Sequence, residues 1–201
     1  MKDMGKALRE TARRSFREES ARASARLTAQ ADRESLVDVA YALVDSPFGQ
    51  LTAATTPRGL VRLAYPGEEG VLDELSVRIS PRVLEVPARV DEIRRQLEEY
   101  FEGRLRRFRF GVDWALVGPF GRKILAVTAT IPYGTVTSYG DVAARTGNPR
   151  ASRAAGNALG SNPIPIIVPC HRVVRSGGAL GGYTGGLERK RFLLQLEGFL
   201  K

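Results

Sequence analysis

Thiol and imidazole are nearly absent from this 201-residue chain, which holds one cysteine and one histidine. A lone cysteine closes no disulfide within the chain, which excludes the disulfide-stapled secreted scaffolds. One cysteine and one histidine also fall short of an ordinary zinc site, even with a carboxylate added. No apolar run approaches the roughly 18 residues that span a bilayer. Glycine is plentiful at 21 residues, yet none precedes a Lys-Ser or Lys-Thr pair as a phosphate-cradling loop requires. Residues 1–35 mix six acidic with nine basic side chains and carry no apolar segment, unlike a targeting peptide. These absences lead us to expect a soluble, intracellular (cytoplasmic) protein with no metal, no cofactor and no membrane partner. A 43% hydrophobic content supports a packed core for one ordinary domain or two small ones.

What the chain does have is placed together. Its only cysteine and only histidine are neighbours in Pro169-Cys170-His171-Arg172-Val173. The strongest side-chain nucleophile thus adjoins the one group whose unperturbed pKa lies near neutrality. A lone cysteine is more often a small buried hydrophobe than a reagent. Here, however, Asn162 and three prolines lead into it, and a glycine-rich loop follows. Charge points the same way. Residues 104–175 hold eleven Lys or Arg against Asp113 and Asp141, whereas residues 36–103 are net acidic. A basic half-chain around a candidate nucleophile suggests a footprint for polyanions, chiefly nucleic acid.

The pattern along the chain predicts α/β (α+β) architecture. Residues 5–30 read as a surface helix with a thin stripe of Leu8, Ala12, Phe16, Ala23 and Leu27, or equally as a disordered basic tail. Runs at Val37–Val44, Gln50–Thr56 and Leu60–Tyr65, separated by turn residues, read as a three-stranded antiparallel sheet. Val90–Phe101 and Arg122–Thr130 read as helices. Thr137 or Ser138 can cap a short helix through Arg145, and a second helix is expected from about Arg150 to Leu159 across a Gly147-Asn148-Pro149 turn. Such a pair resembles a helix-turn-helix. Apart from Arg150 and Arg153, the second helix is lined by small residues such as Ala154 and Gly156, which would allow close approach to a groove. The boundaries expected are 1–35 for a basic extension, 36–110 for an N-terminal α/β domain and 111–201 for a DNA-binding, reactive domain.

The segment Asn162–Cys170 is too rich in proline to be a central strand and reads as a rigid delivery of Cys170 to one place. Adjacent residues face apart in a strand and do not meet on a helix, so cooperation between Cys170 and His171 needs a helical turn and a bridging water. A third group must orient the imidazole, and Glu197 is the candidate.

From Ser46 onward the chain resembles the O6-alkylguanine-DNA alkyltransferases (methylated-DNA–protein-cysteine methyltransferases). The resemblance rests on Ser46-Pro47-Phe48-Gly49, Gln96 to Gly103, Ile131-Pro132-Tyr133-Gly134, Ser138-Tyr139-Gly140 and Arg153. Its strongest part is Asn162-Pro163 through Pro169-Cys170-His171-Arg172-Val173 and then Leu180 to Leu187. It implies a ribonuclease H-like N-terminal module, a mostly helical C-terminal domain, and a monomer acting on double-stranded DNA through the minor groove. The implied reaction is direct-reversal repair, a single-turnover transfer of the alkyl group of O6-alkylguanine to Cys170 after base flipping. By resemblance His171 is the water-relayed base, Glu197 its orienting carboxylate, Asn162 the holder of the turn, and Tyr139 a donor to the flipped base. Arg153 matches the residue that fills the vacated stack, although on composition alone a phosphate contact is the better reading. Val173 and Thr184 match positions whose backbone reads the base, and Tyr183, Arg150, Ser138, Ala154 and Gly156 complete the expected substrate and DNA face. The alternative is a non-enzymatic alkyl-lesion-binding protein, which would lack the acceptor that Cys170 provides. The range of alkyl groups and activity on O4-alkylthymine stay open at this stage.

Overall fold

The computed structural model describes residues 15, 16, 19, 20, 23, 24 and 26–201. The first sheet has four strands in the order β3-β2-β1-β4: β1 (Val39–Val44), β2 (Leu51–Thr56), β3 (Gly59–Ala64) and β4 (Val83–Glu85). β1, β2 and β3 form the expected antiparallel meander. The fourth strand, β4, was not expected and pairs parallel to β1. It is three residues long, too short to show an alternating pattern in sequence.

Both faces of the sheet are covered, so its strands read as nearly continuous apolar runs. On one face Ala42, Ala53, Leu60 and Leu63 pack with Ile93 and Leu97 of the helix Asp91–Phe101. On the other face Val39, Ala54, Val61 and Ala64 meet Val71 and Leu75 of the helix Val71–Arg78. That helix also escaped the sequence reading, because an eight-residue segment with two buried positions shows almost no periodicity. The free edge of β3 is engaged rather than open. Leu60 exchanges backbone bonds with Gly111 and Asp113 (2.9 and 2.8 Å), and the Leu63 amide donates to the Pro163 carbonyl (2.8 Å).

The remaining helices differ from expectation mainly at their ends. The helix expected from Arg122 runs Pro119–Thr128, with Pro119 in its first turn, where a missing N–H costs nothing. Tyr139–Arg145 is capped as expected: Ser138 accepts from the Asp141 amide, and the Asp141 side chain reciprocates. The following helix is Ser152–Gly160, so Arg150 lies in the preceding turn rather than on the helix with Arg153. Two-residue strands β5 (Thr137–Ser138) and β6 (Val173–Val174) pair in parallel, and Leu187–Leu196 is the last helix. One apolar cluster runs from Leu51 and Leu97 through Ile124 and Leu125 to Ile164 and Cys170, so the two halves share a core.

Of the expected N-terminal helix, residues 26–33 and the described positions before them are helical. Phe16 and Leu27 are 73% and 69% exposed, so the thin stripe does not pack on the domain, while Leu8 and Ala12 lie outside the described residues. The helix is tied down at its end, where Asp32 pairs with Arg89 at 2.6 Å. No helix among the described residues is long and apolar enough to cross a membrane.

Candidate active site

Cys170 opens a single 3-10 turn, Cys170–Arg172, directly after Pro169. This is the helical turn that the adjacent pair requires. The segment before it is held by one side chain. Asn162 accepts from the Ile164 amide (3.0 Å) and donates Nδ2 to the Val168 carbonyl (2.9 Å) and to Cys170 Sγ (3.2 Å). Within this loop Ile166, a β-branched residue, sits at φ 72° and is buried. Such a conformation is strained and persists only where surrounding structure imposes it. The Asn162 clamp and the buried prolines supply that constraint.

His171 is fully buried, and its Nε2 lies 2.9 Å from Glu197 Oε1. Glu197 terminates the last helix and is buried too. Tyr100 Oη and Arg172 Nη2 also donate to Oε1 (2.7 and 2.8 Å), while Arg172 Nε and the Gly134 amide donate to Oε2 (2.9 and 3.3 Å). Burial alone would raise the Glu197 carboxyl, but hydrogen bonds and charge from His171 and Arg172 overcome it and bring it down to about 2. A carboxylate only accepts, so Nε2 carries the ring hydrogen and Nδ1 presents a lone pair. That Nδ1 is buried and has no partner among the described residues. Burial lowers the His171 pKa more than Glu197 raises it, so the imidazole rests neutral. Burial likewise pushes the Cys170 thiol up to about 11, against the Asn162 hydrogen bond and the charge of Lys190. The resting site is therefore a thiol, a neutral imidazole with a free acceptor nitrogen, and an ionised carboxylate.

Cys170 opens into a cavity of about 550 Å³, lined by Tyr139, Arg153, Gly156, Arg175, Tyr183 and Thr184 among others. The Tyr139 hydroxyl donates to the Gly182 carbonyl (3.3 Å), and Gly156 lies under the Tyr139 ring, where an added Cβ would sit 3.7 Å away. Arg153 and Ala154 are exposed on the Ser152–Gly160 helix. Thr184 ties the glycine loop to that helix through the Gly160 carbonyl (2.7 Å). The expected residues thus divide in two. Asn162, Cys170, His171 and Glu197 form a buried line, and Tyr139, Arg153, Gly156, Tyr183 and Thr184 form the mouth. Arg150 stands exposed before the helix, and the Ser138 hydroxyl is engaged in the capping box.

Sequence reasoning missed three participants. Arg172 was quoted only as part of a motif, yet it holds Glu197 and the Ile131 carbonyl (2.6 Å). Tyr100 lies in a segment that carried the resemblance without a role of its own. Lys190 is fully buried with Nζ on the carbonyls of Val173 (2.6 Å), Leu180 and Gly182 (3.3 Å), and burial lowers it to about 8. Lys190 thus fixes the backbone at Val173, one of the positions whose backbone the resemblance assigns to base reading. A lysine in a charged helix carries no signal of burial in its type or spacing.

Two family models match in succession: the ribonuclease-like domain of 6-O-methylguanine DNA methyltransferase over residues 39–114 and its DNA binding domain over residues 119–199. A methylated-DNA–protein-cysteine methyltransferase of Methanosarcina acetivorans is 40% identical over 159 residues, covering 79% of this chain and 97% of that one. Its counterpart in Mycolicibacterium paratuberculosis is 41% identical over 160 residues, covering 79% and 92%. The solved structure of Mycobacterium tuberculosis O6-methylguanine methyltransferase matches with a TM-score of 0.69 at 38% identity, covering 79% of this chain and 92% of that one. A structure of Mycobacterium tuberculosis OGT in complex with DNA matches equally well, at 39% identity. With a cysteine, an imidazole and a carboxylate in line beneath a helix-rimmed cavity, and with identity of this extent, the chain belongs to the O6-alkylguanine-DNA alkyltransferase family.

Proposed function

We propose that this protein repairs O6-alkylguanine in DNA by moving the alkyl group onto its own Cys170. The observation that carries this reading is the unpartnered, acceptor-bearing Nδ1 of a buried imidazole one residue from the thiol, with Glu197 fixing its other nitrogen. Through a bridging water, His171 Nδ1 takes the thiol proton, and Glu197 stabilises the resulting imidazolium. The thiolate attacks the alkyl carbon. A carbon–sulfur bond forms as the carbon–oxygen bond to guanine breaks, and the guanine anion leaves. Tyr139 donates a hydrogen bond to that leaving base. No described side chain at the site is placed to cleave a thioether, so each molecule acts once.

The target oxygen lies inside the duplex, so the nucleotide must be extruded into the cavity. Arg153, exposed at the cavity mouth, fills the vacated stack, and the small residues Ala154 and Gly156 let the helix press into the minor groove. Val173 and Thr184 read the base edge through backbone groups. The working form is an intracellular monomer. Its chain is organised as a basic extension (1–35), an N-terminal module (36–110) and a reactive domain (111–201). A cysteine at this position speaks against a lesion-binding protein without transfer.

The test is intact-mass spectrometry after mixing the protein with a duplex carrying one O6-methylguanine. We expect a stoichiometric gain of one CH2 unit, located on Cys170 by peptide mapping and absent in Cys170→Ser. A methyl group found on another residue, or turnover beyond one equivalent, would overturn the reading.

A further inference from the structure

Tyr65 stands at the seam between the N-terminal sheet and the acceptor cavity, and the chemistry above leaves it without a role. It is 3% exposed, directly follows β3, and its hydroxyl lies 2.7 Å from that of Tyr183. Tyr183 lines the Cys170 cavity and packs edge-on against the His171 ring, with centroids 6.4 Å apart. Burial raises both phenols well above the ordinary tyrosine value, so both stay protonated and either can donate.

The Tyr65 ring has little freedom. The Arg189 guanidinium sits 4.4 Å over its face, and Phe48 packs against it at 5.7 Å. Glycine at 185 leaves the room for this contact. A Cβ there would lie 2.5 Å from Tyr65 Cε2 and 2.8 Å from Tyr183 Cε1. The chain carrying Tyr65 is pinned as well. The Leu63 amide and Arg62 Nη1 both donate to the Pro163 carbonyl (2.8 and 3.2 Å). Glu68 receives Arg62 Nη2 (2.6 Å) and the Tyr65 amide (2.7 Å). One rigid end of β3 therefore supports both the turn that presents Cys170 and the aromatic wall beside it.

We propose that Tyr65 is a positioning residue for alkyl transfer: its hydroxyl holds the Tyr183 ring in place beside Cys170 and so limits the size of alkyl group the cavity accepts. The proposal rests on the alkyl-transfer reading above. Without the Tyr65 hydroxyl, the partly buried Tyr183 hydroxyl loses its partner, which favours rotation of the ring toward another partner or water. A small alkyl group then loses its wall, while a bulky one gains space.

The experiment compares single-turnover rates on duplexes carrying O6-methylguanine or O6-benzylguanine for wild type, Tyr65→Phe, Tyr183→Phe and the double variant. Tyr65→Phe keeps the ring, and so the packing. It should raise the benzyl-to-methyl rate ratio about fivefold, the size expected for one lost hydrogen bond. The double variant should go no further than the single ones, because both remove the same bond. Equal slowing on both substrates would assign Tyr65 to fold maintenance alone and overturn the proposal. Should Tyr65→Phe fail to fold, Tyr183→Phe reads the same bond from the other side, and an unchanged ratio there is equally fatal. A wild type that alkylates on neither substrate overturns the alkyl-transfer reading itself, whereas normal wild-type transfer with an unchanged ratio in both variants overturns this proposal alone.

Discussion

Glu197 gathers five hydrogen bonds from Tyr100, Gly134, His171 and Arg172, and this density explains why a buried carboxyl stays ionised. Glu197→Gln keeps the shape but brings an amide N–H into a ring of donors. Transfer should slow about 100-fold, the scale of a lost general-base contribution, in a stopped single-turnover assay on O6-methylguanine duplex. Stability should change with a definite sign. The Glu197 pKa falls from 4.5 unfolded to about 2 folded, so its contribution is complete above about pH 4.5 and is lost as pH falls toward 2. That contribution is about 3 kcal/mol, of which about 2 kcal/mol is already lost at pH 3, so urea unfolding at pH 7 and pH 3 should show a drop larger by about that amount in wild type than in the variant. At this scale the sequence offered Glu197 as an orienting group, whereas the type alone favours exposure. Nothing in it offered Arg172 as the group that keeps the carboxylate charged. The two are 25 residues apart, and only the fold makes them neighbours.

The helix Ser152–Gly160 sets the mouth of the cavity, and its expected role separates extrusion from simple contact. Arg153→Ala should slow repair in paired duplex about 10- to 100-fold, because a few kcal/mol of extrusion cost is left uncompensated. The defect should shrink in single strands or opposite a mismatch, measured as single-turnover rates on matched substrates. Lysine should rescue poorly, since it lacks the planar guanidinium that stacks in place of a base. Equal slowing on all substrates would leave Arg153 as an ordinary phosphate contact. Elements with strong local grammar were legible in advance: the meander from its turn residues and the Tyr139–Arg145 helix from its Ser138 cap. Elements defined by partners were not. β4 exists because β1 offers it an edge, and Val71–Arg78 because Val39, Ala54 and Val61 offer it a face. The start of Ser152–Gly160 was misplaced for a related reason, since Asn148, Pro149 and Arg150 are consumed by a turn in which the Ala151 amide bonds to the Asn148 carbonyl (3.0 Å).

Across the whole molecule, arginines in the two halves live differently. In the N-terminal half Arg58, Arg62, Arg78, Arg82, Arg89, Arg94 and Arg95 each meet a carboxylate. From residue 104 to 175, among the described contacts, only Arg104 and Arg172 do so, and Arg172 is buried. Arg106, Arg107, Arg122, Arg145, Arg150, Arg153 and Arg175 are exposed without an acidic partner in the same set of contacts. The charge imbalance read from the sequence is therefore a real difference in availability, since an arginine already neutralised within the protein displaces few counterions from DNA. Binding to undamaged duplex should weaken steeply with salt, and log K against log salt should be linear. Arg150→Ala, at the turn leading into the Ser152–Gly160 helix, should lower the slope by about one and weaken all sequences alike. Arg94→Ala, which removes an arginine already paired with Asp91, should leave the slope unchanged. If the two variants shifted the slope equally, local pairing would not decide which arginines face the phosphates, and the basic half would lose its claim to be the DNA-binding face.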